Sequence, residues 1–269
     1  MRKDIPKSIS GDRVASVVKA LNLIEIIILG PRNGYSLTEL AREINVSKSS
    51  ALALLRTLVD AGYLRMKSPG PRYLPGMALL RLGDQSRVTQ PLDQISQSYI
   101  HHLAQETGLT IRVAINDGGH PVFISRADAP GSVRFHTLLG VRELPQVSSA
   151  GKAILATLAD EEIRRVISEN GFVARTKNSH MNMPSLLRDI AKIRERKYAI
   201  DDGEDVDGVF CVGAAFFDHS GECAGAISAT GIKTPTREKK VGVIGNLLIR
   251  NAEAITRDLR GQSFPRKSI

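Results

Sequence analysis

The most constraining feature of the sequence is a pair of short helical segments separated by a very tight turn. Ser36 followed by Glu39 is a capping-box pattern, which opens the first helix. Asn45-Val46 leaves room only for a tight turn before Ser47, which can cap a second helix that ends at Gly62. Two short helices joined in this way predict a helix-turn-helix.

The second of these helices has a polar face opposite its apolar stripe. Ser49, Ala53 and Arg56 recur on that face at helical spacing, behind a lysine at the N-terminal end. Short side chains let a helix approach DNA closely, and a helix N-terminus with a lysine favours phosphate. The DNA-contacting residues predicted on this helix are Ser47, Lys48, Ser49, Ser50, Ala53 and Arg56.

After Gly62 apolar and basic residues alternate, as they do in a β-hairpin. Arg65 and Lys67 lie in the first arm, a Ser-Pro-Gly-Pro turn follows, and Arg72 begins the second arm. An apolar helical pattern from Val14 to Ile28 precedes the helix-turn-helix. Together these segments predict a winged helix whose hairpin residues contact phosphate.

The charge distribution agrees with a polyanionic partner for this part of the chain. Residues 1–90 hold 14 Lys and Arg against 7 Asp and Glu, so they carry +7 of the net charge of +9. Nucleic acid is the commonest partner of such a segment, although a solubilising surface gives the same charge. Two cysteines without paired spacing, no apolar run of membrane-spanning length and no secretory pattern predict a cytoplasmic protein without a membrane association.

The remaining residues predict an α+β domain. A helix is expected from about Leu92 to Thr107, followed by a hairpin around the turn at 116–119. The apolar runs Val209–Phe217 and Cys223–Thr230 resemble the two arms of a central hairpin, and Val241 opens a last helix. Hairpins flanked by helices favour an antiparallel sheet covered by helices.

Catalytic motifs are sparse in this second segment. Ser149 and Lys152 fit the S-x-x-K pattern of serine acylases, but the motifs that accompany that pattern do not follow. The adjacent residues His101 and His102 point in different directions on a helix, so they are poor metal ligands as a pair. No phosphate-binding loop or dinucleotide fingerprint is present, so no cofactor and no metal are expected.

The chain resembles the IclR family of bacterial transcriptional regulators along nearly its whole length. The resemblance rests on ordered blocks: residues 16–21, 37–41, 47–50 and 54–58, then Gly151-Lys152-Ala153, Glu204 with 208–212, and 226–228 with Gly231. Three departures stand out. Ala53 lies where the family often has Arg, Ser50 where a Thr is usual, and Lys197 where a Gly often precedes the tyrosine.

The resemblance implies a ligand-sensing C-terminal domain related to GAF and PAS folds. It also implies homodimers formed through the N-terminal domains, often paired into tetramers, and effectors that are small organic acids or aromatic metabolites. The positions that match the family's pocket are Ser149, Ala150, Asp201, Cys211, Ser228 and Thr230. Ser228 and Thr230 alternate on one strand, so both hydroxyls can point into one cavity.

These observations predict a winged helix-turn-helix at 10–76, a linker helix at 77–91 and an effector-binding domain at 92–262. The predicted function is transcription regulation: a double-stranded DNA operator is bound, and a small carboxylate controls the affinity. Two alternatives stay open. One is a serine hydrolase that uses Ser149 and Lys152 and is anchored to DNA, and the other is a nucleoid-type binder without a ligand switch.

Overall fold

The computed structural model describes residues 14–68, 70–88, 91–131, 135, 138–234 and 240–259. The chain divides into two compact units, residues 1–89 and 90–269. The division falls after the helix Met77–Val88, within the segment predicted as a linker, and this helix therefore groups with the first unit. None of the described helices is long and apolar enough to cross a membrane.

The first unit is a small helical domain with a narrow antiparallel sheet. Its elements are α1 (Ala15–Ile28), β1 (Tyr35–Ser36), α2 (Leu37–Glu43), α3 (Lys48–Asp60), β2 (Leu64–Lys67), β3 (Arg72–Pro75) and α4 (Met77–Val88). The described strands are ordered β1-β3-β2. Leu23, Leu40, Leu55 and Leu64 are fully or almost fully buried and join the helices to the hairpin.

Local hydrogen bonds explain the tight spacing of α2 and α3. The Ser36 hydroxyl accepts from the Glu39 amide at 3.3 Å, and the Glu39 carboxylate accepts from the Ser36 amide at 2.7 Å. Asn45 adopts a positive φ of 52°, which turns the chain sharply between the helices. The Ser47 hydroxyl then accepts from the Ser50 amide and caps α3. The predicted winged helix-turn-helix is confirmed.

The second unit is an antiparallel sheet between two layers of helices. Its elements are α5 (Pro91–Thr107), β4 (Thr110–Asp117), β5 (His120–Ala127), α6 (Ser149–Leu155), α7 (Asp160–Ser168), α8 (Met183–Arg196), β6 (Ala199–Asp202), β7 (Val209–Phe217), β8 (Cys223–Ile232) and α9 (Val241–Asp258). The described strands are ordered β5-β4-β8-β7-β6. The predicted α+β class with an antiparallel sheet is confirmed.

The two sheet faces bury different residues. Ile111, Val113 and Val212 lie on one face and pack against α5 and α9. Alternate positions, including Ala114 and Ala226, lie on the other face and pack against α6 and its neighbouring helices. Because these alternate positions carry small or polar side chains, α6 comes close to the sheet.

The closest approach is made at Gly213, in the middle of β7. A Cβ atom there would lie 2.8 Å from the carbonyl carbon and oxygen of Ser149 and 3.0 Å from the backbone nitrogen of Ala150. Backbone atoms cannot move aside as a flexible side chain can. The glycine therefore sets the distance between the start of α6 and the sheet.

Helix α8 ends at Lys197, which is a left-handed C-cap with φ 67° and ψ 13°. A glycine adopts this conformation at no steric cost, whereas a lysine is strained there. The departure from the family pattern noted at this position therefore lies at a backbone site that favours glycine.

We expect Gly213→Ala to lower the free energy of unfolding by about 1–3 kcal/mol, because the new methyl group overpacks the contact with α6. Gly242→Ala is the matched control, since its Cβ would meet only the Tyr198 hydroxyl, at 3.8 Å, in a helix. That variant should gain up to about 1 kcal/mol. Denaturant unfolding measures both, and equal effects of the two variants would contradict the close approach.

We expect Lys197→Gly to raise the free energy of unfolding by about 0.5–1 kcal/mol, because the left-handed strain is removed. Glu195→Gly, in the last turn of the same helix, should lower it by about 1 kcal/mol. The midpoint of urea unfolding at constant m-value reports both changes. A loss of stability in Lys197→Gly would show that the lysine side chain outweighs its backbone strain.

Candidate functional site

The residues predicted to contact DNA form one exposed surface of the first unit. Eight of them are exposed on α3, its cap and the wing strand β2: Ser47, Lys48, Ser49, Ser50, Ala53, Arg56, Arg65 and Lys67. The Ser47 hydroxyl lies 2.9 Å from the hydroxyls of both Ser49 and Ser50. The N-terminal end of α3 therefore presents a small hydroxyl cluster beside Lys48.

Arg72, the ninth predicted residue, makes hydrogen bonds and an ion pair within the first unit. Its Nε donates to the carbonyl oxygens of Asn33 and Gly34 at 3.1 and 3.3 Å, and its Nη2 lies 3.6 Å from the Glu39 carboxylate. These contacts fix the wing to the start of α2. A phosphate contact of Arg72 stays a prediction.

The second candidate site lies on the sheet face beneath α6. Asp201, Cys211 and Thr230 are cross-strand partners in consecutive strands, and Ser228 pairs with Gly213. Since Gly213 meets the backbone of Ser149 and Ala150, the structure brings all six predicted pocket residues together. All six are buried, with Ser228 fully inaccessible. We call this group the sheet-face site.

Two hydroxyls of the sheet-face site are buried without a hydrogen-bond partner among the described residues. They are the Oγ atoms of Ser149 and Ser228. A buried polar group left unpaired costs about 1–3 kcal/mol, so native structures rarely keep one without a reason. A ligand able to accept or donate hydrogen bonds would satisfy both groups.

Arg112 joins the sheet-face site and was not predicted from the sequence. It lies opposite Ser228 on β4, and its Nη2 donates to the Thr230 hydroxyl at 2.6 Å. Its guanidinium stacks 4.4 Å from the centre of the Phe123 ring. The sequence did contain a signal for Arg112. It alternates with Ile111 and Val113 in an apolar strand, so its side chain must lie on the sheet face opposite to theirs.

Burial governs the ionisation of the sheet-face site. It raises the pKa of the Asp201 carboxyl, whose Oδ1 also accepts from the Glu204 amide at 2.7 Å. Burial likewise raises the pKa of the Cys211 thiol to about 12. A thiol with such a pKa stays protonated at neutral pH, which disfavours a role of Cys211 as a nucleophile.

Lys152 is fully buried, and its ammonium group contacts carboxylates from two other elements. Its Nζ lies 2.7 Å from Asp189 on α8 and 2.6 Å from Glu204 on the loop after β6. Burial alone would raise the pKa of Asp189, but a hydrogen bond with His180 and the nearby ammonium hold it well below its ordinary value. The Lys152 ammonium is thus engaged by two carboxylates and makes no hydrogen bond to Ser149 among the described residues.

His180, Asp189 and Glu204 are also the one group in the described parts of the chain whose ligand atoms could hold a metal ion. These atoms lie within 4.8 Å of one another. Both carboxylates of the group already bind the Lys152 ammonium. The lysine therefore supplies the positive charge that a metal ion would bring.

Comparison with known proteins identifies the family of both units. The family model for the IclR helix-turn-helix domain matches residues 16–67, and the model for the C-terminal domain of bacterial IclR transcriptional regulators matches residues 86–257. The HTH-type transcriptional repressor AllR of Escherichia coli K12 is 27% identical over 230 residues, which are 86% of this chain and 85% of AllR.

Solved structures show the same architecture. The Thermotoga maritima IclR crystal structure has a TM-score of 0.79 and 27% identity, and the match covers 92% of this chain and all of that one. An IclR homologue from Microbacterium hydrocarbonoxydans, solved with 4-hydroxybenzoate, has a TM-score of 0.76 at 19% identity over 91% of this chain and 99% of its own. The chain therefore belongs to the IclR family of bacterial transcriptional regulators, and it joins a DNA-binding helix-turn-helix unit to a C-terminal effector domain.

Proposed function

We propose that the sheet-face site binds a small organic acid and that this acid controls the affinity of the protein for its operator. The observation that carries the proposal is the pair of buried, unpartnered hydroxyls of Ser149 and Ser228, with the buried Arg112 opposite Ser228 in the sheet. Arg112 offers the planar donor geometry that matches a carboxylate. The two hydroxyls supply further hydrogen-bond donors.

The other side chains of the site suit an aromatic or short aliphatic body. Phe123, Ala150 and Cys211 are apolar or weakly polar groups around the charged end. The homologue from Microbacterium hydrocarbonoxydans was solved with 4-hydroxybenzoate, which is an acid of this kind. We therefore choose 4-hydroxybenzoate as the first probe of this chain.

The serine hydrolase alternative gains no support from the site. Ser149 has no hydrogen-bonded base among the described residues, and Lys152 is held by Asp189 and Glu204. An acylating serine needs a base within hydrogen-bond reach. We accordingly propose a regulator without enzymatic activity, which acts in the cytoplasm where its DNA lies.

A homodimer is proposed through the first unit. The outer face of α1 exposes a row of apolar side chains at helical spacing, formed by Val14, Val17, Leu21 and Ile28. An exposed apolar row of this kind marks an interface more often than a solvated face. Two copies joined there would present two recognition helices to a two-fold symmetric operator, and pairing of such dimers would give the tetramer.

Identification of the bound genomic fragments tests the regulatory function as a whole. We expect a small set of operators whose affinity for the protein changes when the acid is added. Binding that is equally tight to unrelated fragments and insensitive to small acids would favour the nucleoid-type alternative.

We expect Lys67→Ala to weaken binding to every DNA sequence and to make the salt dependence shallower, because one phosphate contact is lost. The slope of log K against log salt should fall by roughly 0.9 for one contact. Lys177→Ala is the matched control, since it removes the same charge from an exposed position of the second unit. Fluorescence anisotropy at several salt concentrations measures both slopes, and identical slopes would remove Lys67 from the interface.

Substitutions at the N-terminal end of α3 should affect sequence preference, unlike Lys67→Ala. Ser49→Ala and Ser50→Ala change groups that face DNA without changing charge. We expect them to alter the preference between operator variants while the salt slope stays constant.

For the effector, we expect Ser228→Ala to weaken binding of the acid by about 1–3 kcal/mol, or roughly 5- to 150-fold, because a buried donor is lost. Ser96→Ala is the control, since Ser96 is an equally buried serine of α5, which packs on the other sheet face. Calorimetry with the tightest binder of a carboxylic-acid panel that includes 4-hydroxybenzoate measures the change. Equal affinity in wild type and Ser228→Ala would remove Ser228 from the site.

A comparison of two ligands, the acid and its amide, tests the role of the Arg112 guanidinium. The amide of the same acid keeps its shape but loses its charge, so wild type should prefer the acid strongly. Arg112→Gln should reduce that preference, and an unchanged preference would place the carboxylate elsewhere. Because binding is reciprocal, an acid that lowers DNA affinity must also bind the DNA complex less tightly.

A further inference from the structure

A cavity of about 550 Å³ lies along α8, and none of the sheet-face residues lines it. Ser185, Arg188, Lys192 and Arg196 line it from α8, and His180 lines it from the segment that leads into that helix. Glu204 forms another part of the wall. We call it the α8 cavity.

The basic residues of the α8 cavity form a single row. They are spaced four residues apart, so they lie on one face of the helix. Arg188 and Lys192 are exposed, and neither makes an ion pair with any of the described residues. Arg196 lies 3.6 Å from Asp189, within the ion-pair network of Lys152.

The acidic residues of the α8 cavity are already neutralised. The two carboxylates of Asp189 and Glu204 are balanced by the Lys152 ammonium and the Arg196 guanidinium, and Asp202 forms an ion pair of 2.7 Å with Lys233. Arg188 and Lys192 are left over, so the net charge of the cavity wall is positive. Ser185 and His180, whose Oγ and Nδ1 lie 2.9 Å apart, add polar groups to the same wall.

We propose that the α8 cavity is a second ligand site that takes a phosphate group, either as inorganic phosphate or on a small phosphorylated metabolite. Two cations one helical turn apart can contact the same doubly charged tetrahedral anion. The Arg188 guanidinium offers paired hydrogen-bond donors to the oxygens of that anion. The concave volume exceeds that of a phosphate ion and leaves room for an organic body.

Glu204 connects the α8 cavity to the sheet-face site. Its side chain lines the cavity and binds Lys152, while its backbone amide donates to Asp201 at 2.7 Å. Lys152 in turn lies on α6, three residues after Ser149. An anion bound to the basic row would therefore also affect the loop after β6, whose Glu204 amide binds Asp201.

The experiment is calorimetric titration of the full-length protein with inorganic phosphate at pH 7.5 and constant ionic strength. We expect saturable binding by wild type and a loss of roughly tenfold or more in affinity for the Arg188→Ala/Lys192→Ala double variant. The control is Arg164→Ala/Lys177→Ala, which removes the same charge from exposed positions outside the cavity. Its affinity should change by less than about twofold.

Three outcomes overturn the proposal. The first is that wild type binds neither phosphate nor ribose 5-phosphate saturably. The second is that both double variants lose the same affinity. The third is that Arg188→Ala/Lys192→Ala keeps the affinity of wild type. Saturation by inorganic phosphate supports a site for the free ion, and saturation by ribose 5-phosphate alone supports a phosphorylated metabolite.

Hydrogen exchange tests the connection to the sheet-face site. Phosphate should slow exchange in a peptide spanning residues 199–208 of wild type and leave the same peptide of Arg188→Ala/Lys192→Ala unchanged. Equal exchange with and without phosphate in wild type would contradict the connection. Ser228→Ala should bind phosphate as wild type does, so failure of the effector proposal remains distinguishable from failure of this one.

Discussion

The effector domain depends on one buried ammonium group. Lys152 carries its charge from α6 to carboxylates on α8 and on the loop after β6, and it is completely shielded from water. Removing one partner of such a group leaves an uncompensated buried charge, which costs about 3–5 kcal/mol. Helix α6, helix α8 and the loop after β6 are therefore held in one arrangement. That arrangement places residues that are far apart in sequence next to one another.

This network also explains why a motif can mislead. Ser149 and Lys152 have the spacing of a serine acylase, and the helical placement is the expected one. The motif specifies residues on one turn of a helix but not what the lysine meets across the domain. Two carboxylates, 37 and 52 residues further along the chain, decide that the lysine is a structural cation.

Local features were predictable where the sequence alone determines the geometry. The capping box at Ser36, the turn at Asn45 and the basic hairpin rest on neighbouring residues, and the structure has all three. Arg112 was missed because its role depends on register: it faces Ser228 across a strand pair separated by more than 100 residues. Gly213 was missed for a related reason, since its importance arises only when α6 lies above it.

The unpartnered hydroxyls of Ser149 and Ser228 have a consequence for the lifetime of the protein in the cell. A ligand that satisfied these groups would stabilise the domain, by an amount that grows with ligand concentration. Proteases act on the transiently opened chain, so the filled form is degraded more slowly. The concentration of the proposed acid would then set how many regulator molecules persist as well as how many are bound to DNA.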